Sequence, residues 1–302
     1  MPAGRRTPAT FLADSSRLDS VVQLLDEVFV RSRGGGLSMA DRFPHLLQEP
    51  DDRVRIFVAP SAEEVQAVTL SRRFECVCGV SRRPGVMVGL VATYPAARGR
   101  GLASALLERA RVAAVADGAE FAVLWTGNPG FYRRLGWTQG DRGLLGELSG
   151  CGPVGPVPPP DKLDSESLRW VEAVRAKFLP ARIEREPSSY RILPAPVDRL
   201  ELYRCSAGAG DAYALAGRTD GLSVLYELVG ASECFEQLWS SIRRGSDAVL
   251  VNGAVGDEGT DWLKAQGGIA WRPQPLAMWL PLTENAQADS LTSWHVPFLD
   301  RI

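Results

Sequence analysis

Residues 86–103 read Val-Met-Val-Gly-Leu-Val-Ala-Thr-Tyr-Pro-Ala-Ala-Arg-Gly-Arg-Gly-Leu-Ala, an apolar strand that passes through an Arg/Gly turn directly into a helix. Glycines let a backbone close on a ligand, and a helix N-terminus adds unpaired N–H groups and a partial positive charge. The segment therefore predicts an anion-binding turn at 98–103. A dinucleotide site would read Gly99-x-Gly101-x-x-Ser104, but that fold wants the turn after its first strand and an acid ending the next one. Here several strands come first, and Glu120 begins its strand. A phosphate loop of the Gly-Lys-Ser/Thr kind is absent. A plain glycine turn before a helix stays open as a structural alternative.

A second segment reads Gly127-Asn128-Pro129-Gly130-Phe131-Tyr132-Arg133-Arg134-Leu135-Gly136-Trp137. Taken alone, Phe131 and Tyr132 are core aromatics. Taken together, Arg98-x-x-Gly101-x-Ala103 and this Phe-Tyr-x-x-x-Gly-Trp run resemble the GCN5-related N-acetyltransferase (GNAT) superfamily. The resemblance is specific over 86–137 and looser over the rest of 10–150. It implies an α+β fold with a mixed sheet. It also implies acetyl-CoA as co-substrate, held by Val91, Ala92 and Thr93 along the strand, by Arg98, Gly99, Arg100, Gly101, Leu102, Ala103 and Ser104 at the turn, and by Asn128. Tyr132 matches the residue whose phenol meets the coenzyme sulfur. Attack of an amine on a thioester expels a thiolate, and a phenol titrating near ~10 is protonated at neutral pH and can donate to it.

The general base is less legible. The superfamily uses a strand glutamate or a water chain, and Glu75 is the only acid in the 65–78 strand. A solvent-facing strand acid is the other reading of Glu75.

With 302 residues the chain suits two domains. Cys151–Asp161 is dense in proline and predicts a stiff connector. It separates a domain at 1–150 from one at 162–302. The second half repeats a strand, helix, strand, short helix, strand rhythm but has no Arg-x-x-Gly-x-Gly/Ala turn; its strand ends at Gly230-Ala231-Ser232. A tandem duplication follows, with an intact coenzyme turn in the first copy and a degenerate second copy forming one wall of the acceptor cleft. This arrangement resembles the enhanced intracellular survival group of acetyltransferases, with no room for that group's third domain. In that group the terminal carboxylate acts as base in the first domain, a role that would fall here to Ile302.

Local signals refine the picture. Ser16-Arg17-Leu18-Asp19 has a capping-box pattern ahead of a helix. Pro44 is expected to bend or divide a second helix over 38–48, and Ser81–Gly85 reads as a polar turn. A net charge of −2 and a pI near 5.9 give no reason to expect nucleic acid. No apolar run approaches the ~20 residues of a membrane helix, and no leader pattern is seen. The five cysteines include no C-x-x-C pair and the two histidines no metal-ligand spacing, so no metal is expected. Free thiols suit a cytoplasmic protein.

The sequence thus predicts a cytoplasmic, acyl-CoA-dependent N-acyltransferase, acetylating a primary amine by direct attack in a ternary complex. A non-catalytic acetyl-CoA-binding or regulatory protein of the same fold is the alternative. The acceptor and the oligomeric state stay open.

Overall fold

The computed structural model describes residues 11–12, 15–60, 64–150, 159–194, 196–208, 210–284, 286 and 294–302. Most of the Pro-rich connector, 151–158, lies outside them. The first half runs β1 (Phe11–Leu12), α1 (Leu18–Phe29), α2 (Met39–Arg42), α3 (Pro44–Leu47), β2 (Val54–Pro60), β3 (Val65–Cys78), β4 (Ser81–Thr93), α4 (Leu102–Ala116), β5 (Phe121–Trp125), α5 (Pro129–Arg133), β6 (Thr138–Gln139) and β7 (Gly143–Ser149). The second runs α6 (Ser165–Phe178), β8 (Ala181–Ile183), β9 (Arg199–Ala207), β10 (Gly210–Thr219), β11 (Leu222–Gly230), α7 (Phe235–Arg243), β12 (Ala248–Ala254), α8 (Glu258–Gln266), β13 (Ala270–Pro273) and β14 (Ala277–Pro281).

Three local expectations meet a definite outcome. Pro44 does divide its helix: it opens α3 at a position where a missing N–H costs nothing. The capping box at Ser16 is not the start of α1. A 3₁₀ turn over Ser15–Arg17 puts Arg17 at the cap, with no side-chain cap bond. Ser81–Gly85 is strand, not turn. The chain reverses at Gly79-Val80, where Gly79 takes φ +60°, and Cys78 already pairs with Ser81.

Each half builds a mixed sheet around the same unit. In the first, β2, β3 and β4 are antiparallel, and α4 crosses over to β5, which runs parallel to β4. In the second, β9, β10 and β11 are antiparallel, and α7 leads to β12, parallel to β11.

The two sheets then exchange strands. The first has the order β1-β2-β3-β4-β5-β14-β6, with β8 on β3, and the second β13-β7-β12-β11-β10-β9. Thus β7 leaves the first half to pair antiparallel with β12, while β14 returns from the second half to pair with β5. The exchange is reciprocal: each traded strand sits between the partner's last long strand and its short edge strand. Neither sheet is complete without residues from the other half. Trp279 of β14 is fully buried in the first sheet and donates to the Gly140 carbonyl at 2.7 Å.

Alternating residues bury both faces of each sheet. Ile56 and Val58 face α1, where Val21, Leu24 and Leu25 share one stripe; Phe57 and Ala59 face Leu102 and Leu106 of α4. In the second sheet, Leu168, Val171 and Val174 of α6 cover Tyr213 and Leu215, while Phe235, Leu238 and Ile242 of α7 cover Ala212, Ala214 and Val249. The helix before the three-stranded meander and the helix after it take opposite faces in both halves.

Candidate functional site

The first site element is a cleft made by strand divergence. β4 and β5 pair only over Gly85–Met87 and Phe121–Val123, so β4 has no ladder partner on its β5 side from Val88 to Thr93. On its other side, the register with β3 shifts between Val68 and Leu70. Leu90 marks the distortion with φ +49°, alone among described non-glycine residues in the left-handed region. Such a conformation costs roughly 1–3 kcal/mol and persists only where surrounding packing holds it. Here Leu90 packs onto the α1 core. Val91 and Thr93 are half-buried beside the cleft, and Ala92 is buried opposite Val68.

The Arg/Gly turn follows Tyr94 and a 3₁₀ turn over Pro95–Ala97. Gly99 and Gly101 both have positive φ, +76° and +78°, and a Cβ at either would meet nothing within 4 Å. The requirement for glycine there is therefore conformational rather than spatial. Gly101 caps α4 and brings no side chain to its first N–H groups. Arg98 Nε donates to the Thr93 carbonyl at 3.3 Å, and Arg100 Nη1 to Gln66 Oε1 at 3.0 Å. The two exposed guanidinium groups are thus tied back to the end of β4 and to β3. Leu102 anchors the helix in the core, with Ala103 and Ser104 half-buried beside it. An open helix N-terminus beside two arginines favours an anion.

Tyr132 lies on α5, across the cleft from β4. Its ring packs edge-on to Phe131 at 4.9 Å and Trp137 at 6.3 Å between centroids. It is 9 % exposed, and burial pushes its phenol up to about 12. Among the described residues its hydroxyl has no hydrogen-bond partner. Asn128, exposed ahead of α5, donates its backbone N–H to Thr126 Oγ1 at 2.9 Å.

Two further residues behave differently. Glu75 is exposed at the hairpin end of β3, opposite Pro84, and accepts from Arg82 Nη1 at 3.0 Å. Arg82 is shared with Glu184. The strand separates Glu75 from the β4 distortion, so the structure does not bring it to Tyr132. Ile302 is brought in. A Cβ on Gly89 would lie 2.3 Å from the Ile302 main-chain oxygen, and the Ile302 side chain packs on the cores to either side.

Sequence reasoning missed the residues that hold this last segment. Asp300 and Glu227 flank the buried Arg185; Arg185 Nε reaches Asp300 Oδ1 at 2.6 Å and Nη1 reaches Glu227 Oε2 at 3.1 Å. Arg301 donates to the Val296 carbonyl at 3.1 Å and stacks over Trp125. Burial pushes Arg301 down to about 10. His295 Nδ1 sits 3.0 Å from buried Asp141 Oδ1, and Asp141 Oδ2 accepts from the Ala277 N–H that starts β14. None of these pairs has a sequence signal: apart from the Arg301–Val296 bond, each joins positions more than forty residues apart. Among the described residues, no cluster of His, Cys, Asp and Glu could hold a metal ion, and no helix is long and apolar enough to cross a membrane.

Comparison with known proteins bears on the family and the fold. The family model described as "Acetyltransferase (GNAT) domain" matches residues 12–140. No curated protein matches the chain. Among solved structures, it is similar in fold to a probable N-acyltransferase from Enterococcus faecalis V583, with TM-score 0.70 and 15 % identity, covering 91 % of this chain and 72 % of that one. It is also similar to Eis1 from Mycobacterium abscessus, with TM-score 0.61 and 17 % identity over 91 % of this chain and 74 % of that one. A tandem GNAT protein from the clavulanic acid biosynthesis pathway gives TM-score 0.59 at 13 % identity, covering 91 % and 98 %. At these identities the likeness is one of fold, and it extends over both halves.

Proposed function

We propose that this chain, a tandem-domain member of the GNAT superfamily, is an acyl-CoA-dependent N-acyltransferase that moves an acetyl group to a primary amine. The observation that carries the reading is the unpaired side of β4 opening between an anion-binding turn and Tyr132. The pyrophosphate would lie on the N–H groups of Leu102, Ala103 and Ser104, with Arg98, Gly99, Arg100 and Gly101 around it. The pantetheine amides would pair with the backbone of Val91, Ala92 and Thr93, as a peptide adds to an open sheet edge. Asn128 would meet the arm from the far side.

The amine lone pair attacks the thioester carbonyl, a C–N bond forms and the C–S bond breaks. Tyr132 then faces the leaving thiolate. A phenol pushed to about 12 is a poor full donor to a thiol titrating near about 8.5. Tyr132 therefore acts by hydrogen-bonding the developing negative charge, in a site dry enough to make that bond strong. The amine must also lose a proton. The Ile302 main chain at Gly89 supports a role for its carboxylate as acceptor of that proton. Residues 162–302 would supply one wall of the acceptor cleft through the segment that ends at Ile302.

The test is coenzyme binding followed by turnover. Gly101→Asp places a side chain at φ +78° and a negative charge on the helix N-terminus. Calorimetry should show acetyl-CoA binding to the wild type and at least tenfold weaker binding to the variant. A thiol-release screen over an amine panel should then show acetyl-CoA consumption. Unchanged affinity in Gly101→Asp rules out the turn as the coenzyme site. Binding without transfer to any amine favours a regulatory protein of the same fold.

A further inference from the structure

The second sheet has its own divergence. β11 and β12 pair in parallel over Leu222–Leu225 and Ala248–Val251 and then part. On the α8 side this second cleft is shut. Gly259 packs so closely that a Cβ there would lie 2.2 Å from the Leu228 carbonyl oxygen. The turn that follows β11 offers no open glycine loop either, because a Cβ at Gly230 would strike Ala212 at 2.3 Å. On the opposite side, facing the first sheet, the cleft opens into a cavity of about 530 Å³. That volume lies in the usual range for small-molecule sites, ~300–1,000 Å³.

The cavity walls are largely apolar and draw on both halves: Phe74 and Phe121 from the first sheet, Trp279 from the exchanged strand, Trp294, and Leu228 and Phe235 from the second half. Its buried basic group is Arg175, 0 % exposed on α6. Arg175 Nη1 donates to Glu172 Oε1 at 2.7 Å. Nη2 stands 3.7 Å from Asp300 Oδ2, an ion-pair distance beyond hydrogen-bond reach. Nε and Nη2 have no hydrogen-bond partner in the structure.

Two of the three acids lining the same space are already engaged. Glu227 takes hydrogen bonds from Arg185 and from Tyr213, the latter at 2.8 Å. Asp257 takes the Thr260 N–H at 2.8 Å and the Thr260 hydroxyl at 2.7 Å. Glu258, the third, is exposed. The unfilled capacity is therefore for an acceptor, not a donor. An unpaired buried donor costs stability, and a planar guanidinium matches a carboxylate edge-on. Arg142 and Arg182 also line the cavity and offset the charge an anion brings.

We propose that this cavity binds a small organic carboxylate with an aromatic or branched apolar body, its carboxylate on Arg175, at a site separate from the Arg98–Ser104 turn. The degenerate copy is then a ligand-binding module entered from the inter-sheet side.

Trp279 and Trp294 line the cavity and report occupancy by fluorescence. The full chain is titrated with phenylacetate, 4-methylpentanoate and the neutral phenylacetamide, each with and without saturating acetyl-CoA. The acids should give a saturable change, at least tenfold tighter than the amide and unaffected by acetyl-CoA. Arg175→Lys should weaken the acids at least tenfold and leave the amide unchanged. Ala181→Trp, at an exposed wall position, should weaken all three without touching the buried charges, and it stands as the test if Arg175→Lys does not fold. No saturable change with either acid, equal binding of the amide, or displacement of the acids by acetyl-CoA would each overturn the proposal. All these readouts are independent of acetyl transfer.

Discussion

The main-chain oxygen of Ile302 lies where residue 89 would carry a side chain: a Cβ on Gly89 would approach it to 2.3 Å. The contact sits one residue before Leu90, whose φ of +49° marks the distortion of β4. The last residue described and the middle of a central strand thus occupy space that only glycine leaves open. Asp300, held by Arg185, and Arg301, held by the Val296 carbonyl, fix the approach.

Gly89→Ala should therefore push Ile302 off β4. If Ile302 contributes to proton removal, kcat falls by about 10-fold or more, in keeping with a lost general base, while acetyl-CoA affinity stays within about twofold. Steady-state kinetics beside calorimetry reads both. A variant with full kcat would remove Ile302 from the mechanism.

Tyr132→Phe separates chemistry from packing. Among the described residues the hydroxyl has no hydrogen-bond partner, so the variant should keep its melting temperature close to that of the wild type. Its kcat should fall by roughly 10²–10³-fold, as for a lost hydrogen-bond donor to developing negative charge, with coenzyme affinity little changed. Full turnover in the variant would leave Tyr132 as a packing aromatic beside Phe131 and Trp137.

A pH dependence of stability follows from His45. It is buried on α3 with Nδ1 unpartnered, and burial, with Arg72 nearby, pushes it down from 6.5 to about 4. Between those values the unfolded chain binds a proton that the folded chain refuses. Stability is fully present above pH about 6.5 and is lost as pH falls toward 4, by about 2–3 kcal/mol at pH 4.5. Urea unfolding at pH 7 and pH 4.5 measures it. His45→Phe should flatten that part of the difference, and an unchanged slope would count against His45 as its source.

The strand exchange makes a prediction about dissection. Residues 1–150 produced alone lose β14, which leaves the β5 edge open, and carry β7 with nothing to pair with. They should aggregate or unfold without cooperativity, whereas co-expression with 151–302 should restore a single species. Size-exclusion chromatography and thermal melts decide. A monomeric fragment 1–150 with a sharp transition would show that the exchange is dispensable.

Much of this molecule is written locally. The strand-turn-helix at 86–103 needs only an apolar run, glycines able to take positive φ, and an uncapped helix start, and all three stand in consecutive residues. Tyr132 was legible for the same reason, as part of a short run with a fixed offset. The duplicated rhythm of the two halves also shows in hydrophobic periodicity, so the tandem α+β architecture could be read before any coordinates.

What the tertiary structure decided lies in long-range pairing. The rhythm of the second half marks its last strand, β14, but is blind to which sheet takes it, because pairing partners are chosen by edges available in three dimensions. For that reason the exchange of β7 and β14 left no trace in the sequence. Glu75 matched on residue type and strand, yet the register places it at the hairpin end beside Arg82. Ile302, by contrast, reaches Gly89 only because Arg185 and Asp300, distant in sequence, meet in the folded core. The sequence determined the strand-turn-helix at 86–103 and the fold around it. The placement of everything around it rests on contacts between residues that the chain itself keeps far apart.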